Sequence, residues 1–354
     1  MYTIGIEKEY FVFEKTSLEL KSITPSELEL IFGKNVKHEM LCCQIEINTS
    51  VCKDIAELEG VYQNQTERLY RCAEKHGLLL LDTSTPLVKN LWENYQINPS
   101  IRYQNMLARF RYLYHRALNC SFQIHVQPQH PQNRYPLINY LRSYLPLFLA
   151  LSTSSPFWDG VNTGLMSYRS YLFHSLPNAS LPPIFENMDV FNNHVQNWMK
   201  TDSILDEKML WWDLRPHNTY PTIECRICDN VHELADVIAI AALYQALVMK
   251  IEQEFIKGAI LSPGSYLIDL ENKWRIARYG FDAEILDVHY QRIGCKDAIL
   301  SLLDQLEPTM KMLGTDRKIQ DIHHILQRGT SAHLQLKLFE KEQSLKPIIK
   351  LLGK

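Results

Sequence analysis

A chain of 354 residues with 46% apolar and 22% charged side chains carries enough hydrophobic material for a large core, which excludes disorder as its main state. Its 37 basic residues nearly offset its 40 acidic ones, leaving a formal charge of -3, so no overall field recruits nucleic acid or a membrane surface. No run approaches the roughly 18 uninterrupted apolar residues of a bilayer span, and the acidic, mixed start Met1-Tyr-Thr-Ile-Gly-Ile-Glu lacks the features of a secretory signal.

A cytoplasmic protein with no membrane partner is therefore the expectation. The eight cysteines lie scattered among apolar residues and read as reduced core thiols; Cys225-x-x-Cys228 has no second pair and is a weak metal or redox signal. The length allows two domains, but a large sheet with helices can absorb all of residues 1–354 as one.

Residues 2–13 are rich in β-branched and aromatic side chains and alternate as a strand, with Ile4, Ile6, Tyr10 and Val12 on one face and Glu7 and Glu9 on the other. Residues 40–49 repeat the pattern, Cys43, Ile45 and Ile47 against Gln44, Glu46 and Asn48. Helical spacing follows from Asp54, a predicted N-cap, to about His76, with Gly77 just past the end; Leu78–Leu81 is then an apolar strand. After a predicted helix over 102–115, residues 119–127 alternate Phe122, Ile124 and Val126 against Ser121, Gln123, His125 and Gln127.

Pro136 to Leu151 reads as one helix kinked at Pro146, and the Ser-, Pro-, Gly- and Asn-rich stretch 153–186 as a functional loop, a candidate substrate lid. Residues 221–229 form a fourth alternating strand presenting Glu224 and Arg226. A long apolar helix spans 231–258, and further helices cover 297–313, 318–327 and 332–342. Charged strand faces do not suit a sheet covered on both sides. The predicted class is α+β, an antiparallel sheet with helices on one face and an open polar face on the other.

Taken singly, each carboxylate is the solvated face of an amphipathic strand, Glu224 and Arg226 a same-face ion pair, and His125 a core histidine. Repetition over four segments argues otherwise. If Glu7, Glu9, Glu46, His125 and Glu224 converge, they make an oxygen-rich site with one nitrogen donor, a donor set that suits Mg²⁺ or Mn²⁺ and, through them, a polyphosphate.

Seven segments in order carry a family resemblance. They are Thr3-Ile-Gly-Ile-Glu-Lys-Glu-Tyr10, Glu46-Ile-Asn-Thr-Ser-Val-Cys52, Leu149-Ala-Leu-Ser-Thr-Ser-Ser-Pro-Phe-Trp-Asp-Gly160, Asn162-Thr-Gly-Leu-Met-Ser-Tyr-Arg169, Trp211-Trp-Asp-Leu-Arg-Pro-His217, Thr222-Ile-Glu-Cys-Arg-Ile-Cys-Asp229 and Lys273-Trp-Arg-Ile-Ala-Arg-Tyr-Gly-Phe-Asp282. Together they resemble the YbdK-type carboxylate-amine ligases, the second glutamate-cysteine ligase family.

The resemblance implies a glutamine-synthetase-like catalytic fold, a curved sheet with a polar concave face, and ATP-driven amide formation between small molecules, a carboxylate such as glutamate and an amine. It also hints at a homo-oligomer. It implies Glu7, Glu9, Glu46, His125 and Glu224 as metal ligands and Arg226 as the cation on the transferring phosphoryl group. Arg169 would clamp the acceptor's carboxylate, and Arg215 and Arg275 would make phosphate or lid contacts.

The chain departs from the family's His-Val-His-Val-Gly stretch, with Gln123 for the first His and Gln127 for the Gly, and Leu336 falls in a segment that is Arg-Gln-Arg-like in the family. Two other functions stay open on the sequence, a catalytically weak nucleotide-binding homologue and a metal-dependent hydrolase using the same carboxylates.

Overall fold

The computed structural model describes residues 1–91, 95–217, 219–259 and 263–354. Its main sheet uses β1 (Ile4–Glu14), β2 (Val36–His38), β3 (Gln44–Asn48), β4 (Leu78–Leu81), β5 (Phe122–Val126), β6 (Leu214–Pro216) and β7 (Ile223–Cys225). The order is β6-β7-β5-β1-β3-β2, and β4 pairs with the far end of β1. Every pairing in it is antiparallel. The predicted class therefore holds, and each predicted strand is present: Leu78–Leu81 with the expected bounds, residues 2–13 shifted to Ile4–Glu14, and the other three shortened.

Period-two alternation sorts the two faces. Ile4, Ile6, Tyr10 and Val12 from β1, Ile45 and Ile47 from β3, Phe122, Ile124 and Val126 from β5 and Ile223 and Cys225 from β7 enter one large core. The helices covering this face include α1 (Pro25–Phe32), α2 (Ile55–Lys75), α4 (Arg134–Leu141), α5 (Leu145–Ser152), α8 (Leu234–Ile256), α10 (Cys295–Leu313) and α11 (Lys318–Arg328). The chain also carries α3 (Ile101–Phe110), α6 (Arg169–His174), α7 (Met188–Lys200), α9 (Tyr266–Tyr279), α12 (Ser331–Glu342) and α13 (Lys346–Leu352).

Local signals explain several boundaries. Asp54 accepts the Glu57 amide at 2.9 Å and caps α2, which ends before Gly77 at φ +69°. The expected kink at Pro146 is instead a break: α4 stops at Leu141, a 3₁₀ turn spans Arg142–Tyr144, and Pro146 sits in the first turn of α5, where its missing N–H costs nothing. By length and composition α8 could cross a bilayer, but 83% of its apolar window is buried inside the protein, where it is the central core helix. Seven of the eight thiols are buried, in keeping with a core role.

One charged residue breaks the alternation. Lys8 points to the apolar face, where it is 1% exposed; its Nζ pairs with Asp82 at 3.0 Å and donates to the Val231 carbonyl, and Asp82 is held in turn by His232 at 2.7 Å. The polar face is also less open than predicted. The Phe11 and Phe13 end of β1 is buried under α13 and residues 87–91, and α3 stands over the remainder, converting an open surface into a cavity.

Candidate active site

Strand register brings the charged side chains of the polar face into neighbouring positions. Glu9 lies opposite Glu46 across β1 and β3, Glu7 opposite Gln123 across β1 and β5, and Glu224 is paired with His125 on one side and Arg215 on the other. Gly5 faces His125 and puts no side chain there. The five predicted acidic and imidazole residues do converge, and they divide into two groups.

In the first group, Glu7, His125 and Glu224 place one donor atom each within 4.8 Å of the others. His125 Nε2 is 3.4 Å from Glu7 Oε1 and has no well-formed hydrogen bond, leaving a buried nitrogen donor available. Burial would raise Glu7 and Glu224, but His125 lowers Glu7 below the usual carboxylate range, and Arg215, Arg226 and His125 hold Glu224 well below it. Arg215 grips Glu224 with two bonds, Nε to Oε2 at 2.7 Å and a terminal nitrogen to Oε1 at 3.1 Å, while Arg226 donates to the same Oε1. Burial disfavours a charged imidazole at His125, yet Glu7 and Glu224 raise its pKa.

The second group, Glu9, Glu39 and Glu46, also fits within 4.8 Å and behaves oppositely. Burial and then Glu39 push Glu9 up to about 8, and burial with Glu39, Glu7 and Glu9 raises Glu46 well above its ordinary value. Burial and the neighbouring carboxylates raise both Glu39 and Glu46, which favours a proton shared by the pair. Three carboxylates that repel in this way fit a bound hard cation, which would replace the shared proton.

Gln123 and Arg226 join the groups. The Gln123 amide nitrogen donates to Glu9 Oε1 at 3.1 Å and its oxygen accepts from Arg226, which also reaches Glu224. In front of Glu7 and the second group lies a cavity of ≈ 490 Å³ with an acidic floor and a basic rim of Lys37, Arg102, Lys208 and Arg215; His125 and Glu224 lie beneath its lining. His217 also lines it; burial lowers its pKa, so the ring is neutral, and Nδ1 accepts the Tyr220 amide at 3.0 Å, leaving an Nε2–H donor.

Two expected arginines sit elsewhere. Arg169 lies behind the cavity wall, 5% exposed, donating to the Arg226 and Ile227 carbonyls at 3.2 and 3.4 Å and standing 3.8 Å from Asp229. Asp229 accepts from Ser154 N–H and from the Ser155 and Ser167 hydroxyls, and Arg169 supplies the balancing charge. Arg275, on α9, pairs with Glu271 at 2.7 Å and donates to the Glu284 carbonyl at 3.0 Å, and does not line the cavity.

The supposed lid begins as core, since Thr153, Ser154 and Ser155 are fully buried in that serine network. Sequence reasoning missed Glu39, Lys37, Arg102 and His217. For Glu39 a signal existed: Lys37 and Glu39 alternate along β2 and its exit, and Lys37 faces Glu46.

Residues 3–350 match the profile of glutamate-cysteine ligase family 2. Two relatives carrying the description "Putative glutamate--cysteine ligase 2" are 32% identical: one from Solibacter usitatus over 353 residues (98% of this chain, 91% of the relative) and one from Roseiflexus castenholzii over 352 residues (98% and 93%). The chain belongs to glutamate-cysteine ligase family 2. It is an ATP-dependent carboxylate-amine ligase acting on small molecules.

The fold is shared with two solved proteins, each 14% identical. A bifunctional glutathione synthetase from Pasteurella multocida has a TM-score of 0.72, with 98% of this chain aligned to 51% of that one. A glutamate-cysteine ligase from Francisella tularensis, solved with AMP, has a TM-score of 0.70 over 99% of this chain and 87% of that one.

Proposed function

We propose that the chain is a single catalytic unit that phosphorylates a carboxylate, in the first instance the side-chain carboxylate of glutamate, and transfers the acyl group to the amine of an amino compound such as cysteine. Glu7, His125 and Glu224 would hold one divalent cation and Glu9, Glu39 and Glu46 a second, Mg²⁺ or Mn²⁺ in each case. The carrying observation is that Glu7 of the first group and all three carboxylates of the second line one cavity together with Arg226, which bonds Glu224 and Gln123. Cations bound there neutralise phosphate charge and align the terminal phosphate with its acceptor.

The chain's own residues do the remainder. A carboxylate resists attack by an amine because oxide is a poor leaving group, and transfer of a phosphoryl group onto it makes an acyl phosphate, from whose carbonyl carbon the amine can displace inorganic phosphate. Arg226 is anchored on both sides by Gln123 and Glu224, so its charge is aimed before the reaction begins and needs no reorganisation. Arg215, fixed by its two bonds to Glu224, adds positive charge at the same edge. The Nε2–H of His217 offers a neutral donor to an oxygen in the cavity, and the basic rim favours anionic substrates. Arg169 would act as a positioning residue, holding the segment from Arg226 to Asp229.

The test is ADP release by the purified protein with Mg²⁺, ATP, glutamate and a panel of amines, with mass detection of the product. Formation of γ-glutamylcysteine supports the glutamate and cysteine assignment. ADP release with another acid or amine redirects the substrates, and absence of ADP release with every pair removes the proposal.

A further inference from the structure

A second cavity of ≈ 260 Å³ lies where the start of α8, the end of α11 and the first turns of α12 meet. Its floor is aliphatic and buried, formed by Leu151, Val231 and Leu352. Its rim carries both signs of charge: Glu233 and Asp236 at the start of α8, Arg328 at the end of α11 and Lys337 on α12. Arg328 and Asp236 are bonded to each other. Among the described residues Lys337 makes no ion pair, and Glu233 reaches only His232, at 4.0 Å.

An aliphatic floor with one ammonium and one carboxylate left over at its rim complements a small molecule that joins an aliphatic body to adjacent opposite charges. Glu233, just before the first turn of α8, makes no side-chain cap and so stays available to the ammonium of such a molecule. The volume lies just under the roughly 300–1,000 Å³ of drug-sized sites, so the occupant is small.

The lining is also continuous with the groups that hold the catalytic face. Val231 gives its carbonyl to Lys8, and His232 holds Asp82, the partner of Lys8, at 2.7 Å. Asn230, beside them, donates its side-chain amide to the Glu9 carbonyl at 2.6 Å. Ser152 accepts the Asp229 amide at 3.2 Å, and Thr330 bonds Thr153 at 2.7 Å. A molecule seated against 231–232 thus rests on the reverse side of the strand that presents Glu7 and Glu9.

We propose that this cavity binds an aliphatic α-amino acid as its zwitterion, and that occupancy alters ATP binding at the catalytic face through residues 229–232 and Lys8. Binding itself does not depend on the ligase reading. Calorimetry on the full chain with L-leucine, leucinamide and N-acetyl-leucine tests it, because the last two each lack one charge. Leucine binds once per chain, at least about tenfold more tightly than either derivative.

Lys337→Met, an exposed change that keeps helix propensity, weakens leucine about tenfold, whereas Glu46→Gln in the catalytic cavity leaves leucine binding intact. Leucine changes ATP affinity by about fivefold in the native protein and not in Lys337→Met. The site is overturned if no saturable binding occurs, if the derivatives bind equally, or if Glu46→Gln abolishes binding and Lys337→Met does not. Saturable binding with unaltered ATP affinity overturns the coupling.

Discussion

The two carboxylate groups of the cavity sit side by side on one sheet and solve the problem of buried charge differently. Around Glu224 the protein supplies its own counterions: Arg215 and Arg226 keep the carboxylate ionised, and Glu7 and His125 stabilise each other. Around Glu46 the chain supplies another carboxylate, Glu39, and the pKa values of Glu9 and Glu46 rise. The first group is built from side chains that the fold needs. The second is held at a cost that the proposed cation would relieve, the pattern expected where stability is given up for function.

The sharpest way to break this comparison is a pair of isosteric changes. Glu224→Gln leaves two guanidiniums with a neutral partner in a buried site, so turnover falls by about 10³ or more and the protein loses about 3–5 kcal/mol. Glu46→Gln lowers turnover by a similar factor of about 10³, yet its melting temperature without divalent ions stays level or rises, because the buried site already favours an uncharged side chain there. ADP release and thermal unfolding of both variants check this. If Glu46→Gln unfolds as readily as Glu224→Gln, the second group is structural and the contrast fails.

Removal of metal sharpens the same contrast through pH. A Glu9 pKa of about 8, above the value of 4.5 for an ordinary Glu, means that between these values the folded protein binds more protons than the unfolded chain. Stability therefore falls as pH rises through that window. With chelator present, the melting temperature declines from pH 5 to pH 8, and saturating Mg²⁺ flattens the decline. The depressed Glu224 pKa has the opposite sign, protecting stability until pH drops well below the carboxylate range. A decline that Mg²⁺ does not touch would separate Glu9 from cation binding.

Gln123 lies between the groups, and its replacement has a smaller expected effect. Gln123→Leu cuts the link from Glu9 to Arg226 while leaving each with other partners, Ser121 for Glu9 and Glu224 for Arg226. Turnover drops by about 10–100-fold, within the range for loss of an oriented charge, and the KM for ATP moves less. An unchanged kcat would show that Arg226 is positioned by Glu224 alone.

The faces of β1, β3, β5 and β7 were legible because their residues alternate in kind, and a period of two carries a side chain's face with it. Glu39 was missed because it follows a three-residue strand, where the alternation of Lys37 and Glu39 is too brief to stand out. Arg169 was legible as a motif but not as a position. Its burial is created by Asp229 and by serines from the loop after α5, which meet it only in the folded chain. Lys8 was invisible for a related reason: a lysine amid apolar neighbours reads as an exception until Asp82, far along the sequence, provides its counterion. Gln123, conspicuous as a departure from the family, gains its meaning from Arg226, which an amide oxygen can accept from while its nitrogen donates to Glu9.

The smallest effect belongs to Arg275. Its bond to Glu271 is between partly exposed partners on one helix, a type of pair worth about 0–1 kcal/mol, and its other contact is the Glu284 carbonyl at the edge of a small hairpin. Arg275→Ala therefore changes kcat and the KM for ATP by less than about threefold. Arg215→Ala, by contrast, strips Glu224 of its bidentate partner and lowers turnover by about 10²-fold or more. Steady-state kinetics on the two variants places each arginine inside or outside the machinery. If Arg275→Ala raises the KM for ATP by tenfold, which is about 1.4 kcal/mol, then α9 closes over the cavity during turnover and Arg275 regains the phosphate contact its motif implied.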